Sequence, residues 1–349
     1  MKYPTIAQMF YGVINESLDK EIYFYKEINK WKGLTGKDIL SIVEKISFSL
    51  YLNGIRYQDK VAILSNTSYK WALCDYGILS MGGVTTTVYP SLMPAQIEYI
   101  LNDSSSRLIF VEDQMQLEKV KSIFDSCSKL EKIVVMDNSY DGDDIYVQNL
   151  NTFLIVDRES PDLDGIDFKD MIHKSKEEDL ATLIYTSGTT GTPKGVMLSN
   201  KNLLSNIYGV SRIQKDIGNE DFLSFLPLSH ILERMAGHFY PMFCNSRIYY
   251  AENMETVGAN MAEISPTVVV SVPRFFEKMY NAVLKGVREG SAIKQKLFWW
   301  AIKVGKDYVA INNSEYKTPY LLKLKHKLAD KLVYGKIKAK IGGKIKFFI

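Results

Sequence analysis

The hydrophobic pattern changes period several times along the first 140 residues. In TGKDILSIVEKISFSLYLNG, residues 35–54, the positions Ile39, Ile42, Val43, Ile46 and Leu50 recur at three- and four-residue steps. That spacing predicts one buried face of a helix, with Gly54 as its stop. Four short apolar runs follow, KVAILS, GVTTTVYP, SRLIFVED and KIVVMD, with the helical patterns YKWALCDYGILSMGG and PAQIEYILNDS between them. Strands alternating with helices predict a largely parallel sheet covered on both faces.

A polar stretch from Asp137 to Asp170, rich in Asp and Asn, reads as a connection. It divides the chain into a first α/β subdomain with N-terminal helices, residues 1–170, and a second α/β subdomain, residues 171–349. The second opens on LATLIY and GVML, two strand patterns on either side of a polar loop. Ser199 then caps a helix carrying Leu203, Leu204, Ile207 and Tyr208. FLSFLPLSH, RIYYAE and TVVVSVP are further strand candidates. From Ser291 to Ile311 the helical stripe Ile293, Leu297, Trp300, Val304 and Tyr308 predicts core packing. Thr318 and Pro319 fit the N-cap and first position of a last helix. Gly342–Gly343 end it before the strand pattern KIKFFI. A sequence finishing on such an apolar run is expected to be cut from something longer. Its sheet edge is expected to favour self-association, through unpaired backbone groups.

The loop between the two strand patterns holds the candidate chemistry. Thr186, Ser187, Gly188, Thr189, Thr190, Gly191, Thr192, Pro193 and Lys194 place hydroxyls, glycines and one lysine together. Small residues let several backbone N–H groups surround one anion, and the lysine adds a mobile positive charge, so the composition fits a phosphate cradle. A plain Ser/Thr/Gly surface hairpin has the same composition. A Walker loop is excluded, because Pro193 stands where that pattern needs Gly, and the loop runs from strand to strand.

Composition narrows the class. The 349 residues are 46% hydrophobic and 24% charged, ordinary for a globular protein. The net charge of +3 is too small to imply nucleic acid. Cys74, Cys127 and Cys244 are widely spaced with no CxxC pair, so no zinc or other metal site and no disulfide framework is predicted, and a reducing cytoplasm fits. No apolar run approaches the roughly 18 residues of a membrane span.

With these pieces in order, the sequence resembles the adenylate-forming superfamily, and within it the long-chain fatty acyl-CoA synthetases. YTSGTTGTPKG, residues 185–195, matches the superfamily's phosphate-binding signature [YF]TSG[TS]TGxPKG at every defining position. GIRYQDKVAILSNTSYKWALCDYGILSMGGVTTTVYPSLMPAQIEYILNDS is similar to the family's N-terminal block, with Gln58 where Gly is usual. FLPLSHILERM is similar to the block that supplies a histidine near the acyl site. VVVSVPRFFEKMY and DKLVYGKIKAKIGGKIKFFI resemble segments of the long-chain branch.

The resemblance implies an α/β fold of two stacked, mixed or parallel sheets flanked by helices. This would be the incomplete large N-terminal domain of the adenylate-forming fold. It implies a ligase reaction in two halves, in which a fatty acid carboxylate attacks the α-phosphate of Mg2+-ATP and coenzyme A then displaces AMP. Thr186, Ser187, Gly188, Thr189, Thr190 and Gly191 would wrap the β- and γ-phosphates, and Lys194 would neutralise the leaving pyrophosphate. His230 would line the junction of acyl carboxylate and AMP, although a histidine after an apolar strand is more often a packed core residue. Glu233, Arg234 and Arg274 belong to the matching blocks without an assigned role. The family's adenine-binding segment, magnesium-binding acid, ribose-binding Asp and C-terminal lid domain with its adenylation lysine have no counterpart in this sequence. The isolated chain is therefore expected to lack a complete active site. A non-catalytic nucleotide- or acyl-binding fragment, or a degenerate relative, is the alternative.

The lysines from Lys317 to Lys340 bear on location, since a basic amphipathic stretch can make peripheral contact with anionic headgroups at the inner membrane face. A solvated helix face in a lysine-rich protein is the simpler reading of the sequence and is preferred.

Overall fold

The computed structural model describes residues 2–142, 144–186, 193–214, 218–314 and 317–349. The chain forms two compact units, one up to Met254 and one from Glu255 onward.

The first unit begins with helix α1 (Ile6–Asn15), capped by Thr5, whose side chain accepts from the Gln8 N–H. A hairpin of β1 (Glu21–Glu27) and β2 (Lys30–Thr35) follows. Its two-residue turn places Ile28 at φ 48° and Asn29 at φ 59°, the double left-handed geometry that suits the twist of a hairpin. Helix α2 (Gly36–Leu52) starts at a reciprocal cap between Thr35 and Asp38 and buries Ile39, Val43, Ile46 and Leu50, as the periodicity predicts. Gly54 ends it at φ 80°. Each such aliphatic side chain removed from water contributes on the order of 2 kcal/mol.

β3 (Lys60–Leu64), α3 (Tyr69–Ser80), β4 (Val84–Val88), α4 (Pro94–Ser104), β5 (Ser106–Val111), α5 (Gln114–Lys121), β6 (Lys132–Val135) and β7 (Val147–Asn149) continue the alternation. Helix α3 packs closely on α2. A Cβ on Gly77 would come within 2.3 Å of Ile46, and the Ser47 hydroxyl donates to the Gly77 carbonyl at 2.9 Å. β8 (Leu180–Thr186) and β9 (Lys194–Ser199) complete a seven-stranded sheet in the order β7-β6-β5-β3-β4-β8-β9. All its pairings are parallel except β8 with β9. The pairing of β4 with β8, Thr85 opposite Thr182, bridges the boundary expected near residue 170. The polar stretch there connects strands of one sheet, because β8 adds to the sheet already built.

The same unit holds a second mixed sheet, in which β10 (Asp221–Ser224), β11 (Arg247–Tyr250) and β1 run parallel and β2 is antiparallel to β1. Ser199 caps the helix Asn200–Ile213, which buries Leu203, Leu204 and Ile207. Gln58 has φ 65°, a left-handed conformation. That accounts for the glycine usual at this place in the resembling family. Its amide compensates by donating to the Leu180 carbonyl at 3.2 Å.

The second unit is mostly helical: Val257–Ile264, Pro273–Arg288, Ala292–Asn312 and Tyr320–Ala329. Its core gathers Val287, Phe298, Ala301, Val304, Ala329 and Val333, with Leu297 and Trp300 packed against them. The predicted stripe thus holds for Leu297, Trp300 and Val304, while Ile293, the second residue of its helix, is exposed. The last helix begins one residue later than expected, with Pro319 in the N-cap position. Gly342 and Gly343 turn the chain at φ 85° and 73°, and β13 (Phe347–Phe348) then pairs in parallel with β12 (Val268–Val269).

Candidate functional site

In an open parallel sheet, ligands collect at the carboxyl ends of the strands, where backbone groups and loops converge. Here that edge is reached by β3, β4 and β8. Strand β8 ends on Thr186, which pairs with Lys194, the first residue of the antiparallel β9. Thr186 and Lys194 therefore close the base of a hairpin at this edge, and both are exposed. Ser187, Gly188, Thr189, Thr190 and Gly191, the remaining candidate phosphate ligands, lie outside the described residues. Gly195 faces Tyr185 across the hairpin. A Cβ there would lie 3.0 Å from the tyrosine ring, so glycine leaves room for it. The Tyr185 hydroxyl in turn donates to Asp103 at 2.6 Å, tying β8 to α4.

The segment 225–230 is bound to the same edge. The Leu228 N–H donates to the Thr67 hydroxyl at 2.9 Å, just past the end of β3. The Thr87 hydroxyl, near the end of β4, donates to the Ser229 carbonyl at 3.0 Å. Thr87 is also the register partner of Ile184, two residues before Thr186. His230 follows directly on Ser229 and is exposed, which is not the environment of a packed core histidine. Its Nδ1 accepts from the Leu232 N–H at 3.1 Å as it caps the next helical turn. A neutral ring held this way carries its proton on Nε2 and can donate from it.

Behind this edge lies a buried polar network that the sequence reading left without roles. Residues 231–243 are helical, with a π-helical stretch from Arg234 to Phe239. Such widened turns recur at functional sites. The fully buried Arg234 guanidinium bonds Asp75 of α3 through Nε at 2.9 Å and Nη2 at 2.5 Å, and Nη1 donates to the Thr182 hydroxyl of β8. Thr182 donates to the Thr85 carbonyl, and the Thr85 hydroxyl donates to Asp75, both at 2.7 Å. Burial alone would raise the Asp75 carboxyl, but the Arg234 charge and His238 outweigh it and hold it below the usual range. His238 Nε2 lies 3.4 Å from Asp75, and desolvation lowers its imidazole so that it stays neutral. Arg234 thus links the turn after His230 to the strand that carries the hairpin.

Glu233 is buried beside this network. Its Oε1 accepts from the Ser224 hydroxyl at 2.6 Å, while Oε2 has no hydrogen-bond partner. Desolvation pushes the carboxyl up to about 8, against the opposing hydrogen bonds from Ser224 and the Phe225 backbone. Gly237 makes space for it, since a Cβ there would sit 2.3 Å from Oε1. The sequence did hold a signal for these residues. Asp75 interrupts the apolar run WALCDYGIL, and a charge among residues that must be buried needs a buried partner.

A cavity of about 190 Å3, lined in part by Tyr57, Met81, Asp167 and Lys174, lies toward the opposite edge, where β4 begins. It has no connection to the hairpin through the contacts above. Among the described residues no three His, Cys, Asp or Glu side chains gather into a group that could hold a metal ion.

Comparison with known proteins agrees with this architecture. Residues 13–311 match the family described as AMP-binding enzyme, and the chain belongs to that family. It is 28% identical over 344 residues to a long-chain-fatty-acid–CoA ligase of Mycobacterium bovis, covering 98% of this chain and 55% of that protein. It is 28% identical over 353 residues to a long-chain-fatty-acid–CoA ligase of Homo sapiens, covering 97% and 50%. Among solved structures, it superposes on the adenylation domain of a carboxylate reductase from Mycobacterium chelonae with a TM-score of 0.69 at 19% identity, over 98% of this chain and 53% of that one. The chain spans about half the length of the curated relatives it matches.

Proposed function

We propose that this chain carries the triphosphate- and acyl-handling part of an ATP-dependent ligase that activates a long-chain fatty acid to its coenzyme A thioester. The observation that carries the reading is the Thr186–Lys194 hairpin base at the carboxyl edge of the parallel strands, next to the anchored segment that ends in His230. The names of the similar ligases give the substrate class.

In the first half-reaction a carboxylate oxygen attacks the α-phosphorus, and the bond to pyrophosphate breaks with its electron pair leaving on pyrophosphate. In the second, the coenzyme A sulfur attacks the acyl carbon, AMP leaves, and the thiol proton passes to solvent. Positioning and charge neutralisation dominate such phosphoryl chemistry. Lys194 supplies positive charge to the departing pyrophosphate, and Thr186 adds a hydroxyl. Mg2+ accompanying ATP would share that neutralisation. His230 donates from Nε2 to a fatty acid carboxylate oxygen and so fixes which oxygen faces phosphorus.

Calorimetry tests the phosphate assignment. Lys194→Ala removes a charge-assisted contact and should weaken ATP and pyrophosphate binding by about 2 kcal/mol, roughly 30-fold, while AMP binding changes little. Equal losses for ATP and AMP would sink the triphosphate cradle. Binding without pyrophosphate exchange by the 349-residue chain fits both this reading and a non-catalytic nucleotide- or acyl-binding module, so the contrast between ATP and AMP carries the test.

A further inference from the structure

The ionic balance of the chain is uneven. From Lys317 to Ile349 there are ten lysines and a single acid, Asp330, a net charge of +9 within a chain whose total is +3, so the remainder is net acidic at −6. The helix Tyr320–Ala329 carries three of these lysines, Lys323, Lys325 and Lys327. Its inward face is accounted for, with Ala329 buried, Leu322 packed on the helical core and His326 stacked on Tyr308 at 3.9 Å. Its outward face is also apolar. Tyr320 is 79% exposed, Leu321 64%, Leu324 49% and Leu328 50%. Leu321, Leu324 and Leu328 follow the three- and four-residue steps of one helical ridge. Lys323, Lys325 and Lys327 are exposed between them.

Single exposed leucines are ordinary on a solvated face, but three in succession along one ridge form a contiguous apolar strip that calls for a partner, and a nucleic acid would engage the lysines alone. An apolar ridge flanked by lysines matches a surface with negative headgroups and an accessible acyl layer. The leucines enter the acyl boundary, and the long lysine stems let the ammonium groups reach the phosphates. We propose that the helix Tyr320–Ala329 docks the protein peripherally on an anionic lipid bilayer. The docking is shallow, because among the described residues no helix is long and apolar enough to cross a membrane. The proposal rests on exposure and charge and stands independently of the reaction proposed above.

Flotation of the full 349-residue chain with vesicles tests it. Binding is expected to vesicles of phosphatidylcholine with about a third phosphatidylglycerol, to weaken with added salt, and to be slight on phosphatidylcholine alone. The charge-reversed variant Lys323→Glu/Lys325→Glu/Lys327→Glu should lose about 100-fold or more in partitioning, at roughly tenfold per 1.4 kcal/mol and about 1 kcal/mol per lysine removed. Leu321→Ser/Leu324→Ser/Leu328→Ser keeps the charge and should lose at least about tenfold. All substituted residues are exposed, and circular dichroism checks that the fold is kept. Three outcomes would overturn the proposal. Equal binding to neutral and anionic vesicles is one. Tighter binding to duplex DNA, indifferent to the leucine changes, is another. The third is a leucine variant that turns a dimer into a monomer in ultracentrifugation with vesicle binding unchanged, which would make a second copy the occupant.

Discussion

Glu233 should make the stability of the first unit fall as pH rises, and Glu233→Gln should abolish that fall. An unfolded glutamate ionises near its ordinary value of 4.5, whereas burial holds the folded carboxyl near 8. Below about pH 4.5 both states are protonated and the contribution is fully present. Between 4.5 and 8 the folded state keeps a proton that the unfolded chain has released, so stability drops by about 1.4 kcal/mol per pH unit. Across that window the ceiling is about 5 kcal/mol, complete once pH passes 8, and relaxation around the charged group should reduce the measured loss to about 3 kcal/mol. The Gln side chain keeps the shape and the Oε1 acceptor that Ser224 uses. Urea unfolding at pH 5, 7 and 9 is the assay. Variant and parent should agree within about 1 kcal/mol at pH 5. At pH 9 the variant should be the more stable by about 3 kcal/mol. Parallel pH profiles would show that Glu233 does not hold its proton in the folded state, and the account of the pocket around Gly237 would fail with it.

Other perturbations separate the remaining claims. Arg234→Met strands the Asp75 carboxylate in a fully buried site and should cost about 3–5 kcal/mol in urea unfolding, with much of it recovered in Arg234→Met/Asp75→Leu; additive single effects would refute the buried pair. Gly237→Ala drives a methyl against the Glu233 carboxyl and should destabilise by about 1–3 kcal/mol, less when combined with Glu233→Ala. His230→Ala should slow fatty-acid-dependent pyrophosphate exchange, wherever the protein supports it, without shifting the melt; a large downward shift would return this histidine to a structural role. Ile28→Asn places a residue tolerant of positive φ in the hairpin turn and should stabilise by about 1 kcal/mol, read as a raised melting temperature.

Local periodicity was informative wherever one face alone decides burial. The α2 face, the runs that became β3 to β6, and the strand–loop–strand around the hairpin could all be read from spacing. The β1–β2 hairpin escaped because its turn, Ile28–Asn29, lacks the Asn-Gly signal that such geometry usually shows. The polar stretch from Asp137 to Asp170 carries no sign of how it is used, because a polar linker looks the same whether it joins two bodies or two strands of one sheet. Ile293 fits the helical period, yet it sits where no neighbour covers it, and period alone cannot tell how far a core extends. In the site, the loop and His230 stood out by motif, Asp75 showed only as a charge within an apolar run, and Thr182 and His238 gave no local sign. Their meaning lies in contacts between residues far apart in the chain, and no local pattern records those.

The separation between Asp75 and Arg234, 159 residues, also constrains the order in which the protein can assemble during synthesis. Strands β3 to β7 emerge first and can pair among themselves, but β4 keeps an open edge until β8 arrives. Asp75, on the helix that precedes β4, meets its cation only later, when Arg234 leaves the ribosome. Long-range closures of this kind are slow and leave unpaired strand edges exposed meanwhile. A nascent chain paused before Arg234 must therefore either protonate Asp75 or keep α3 from docking fully. The ion pair acts as a late latch on the sheet, completed only after the segment bearing His230 has been made.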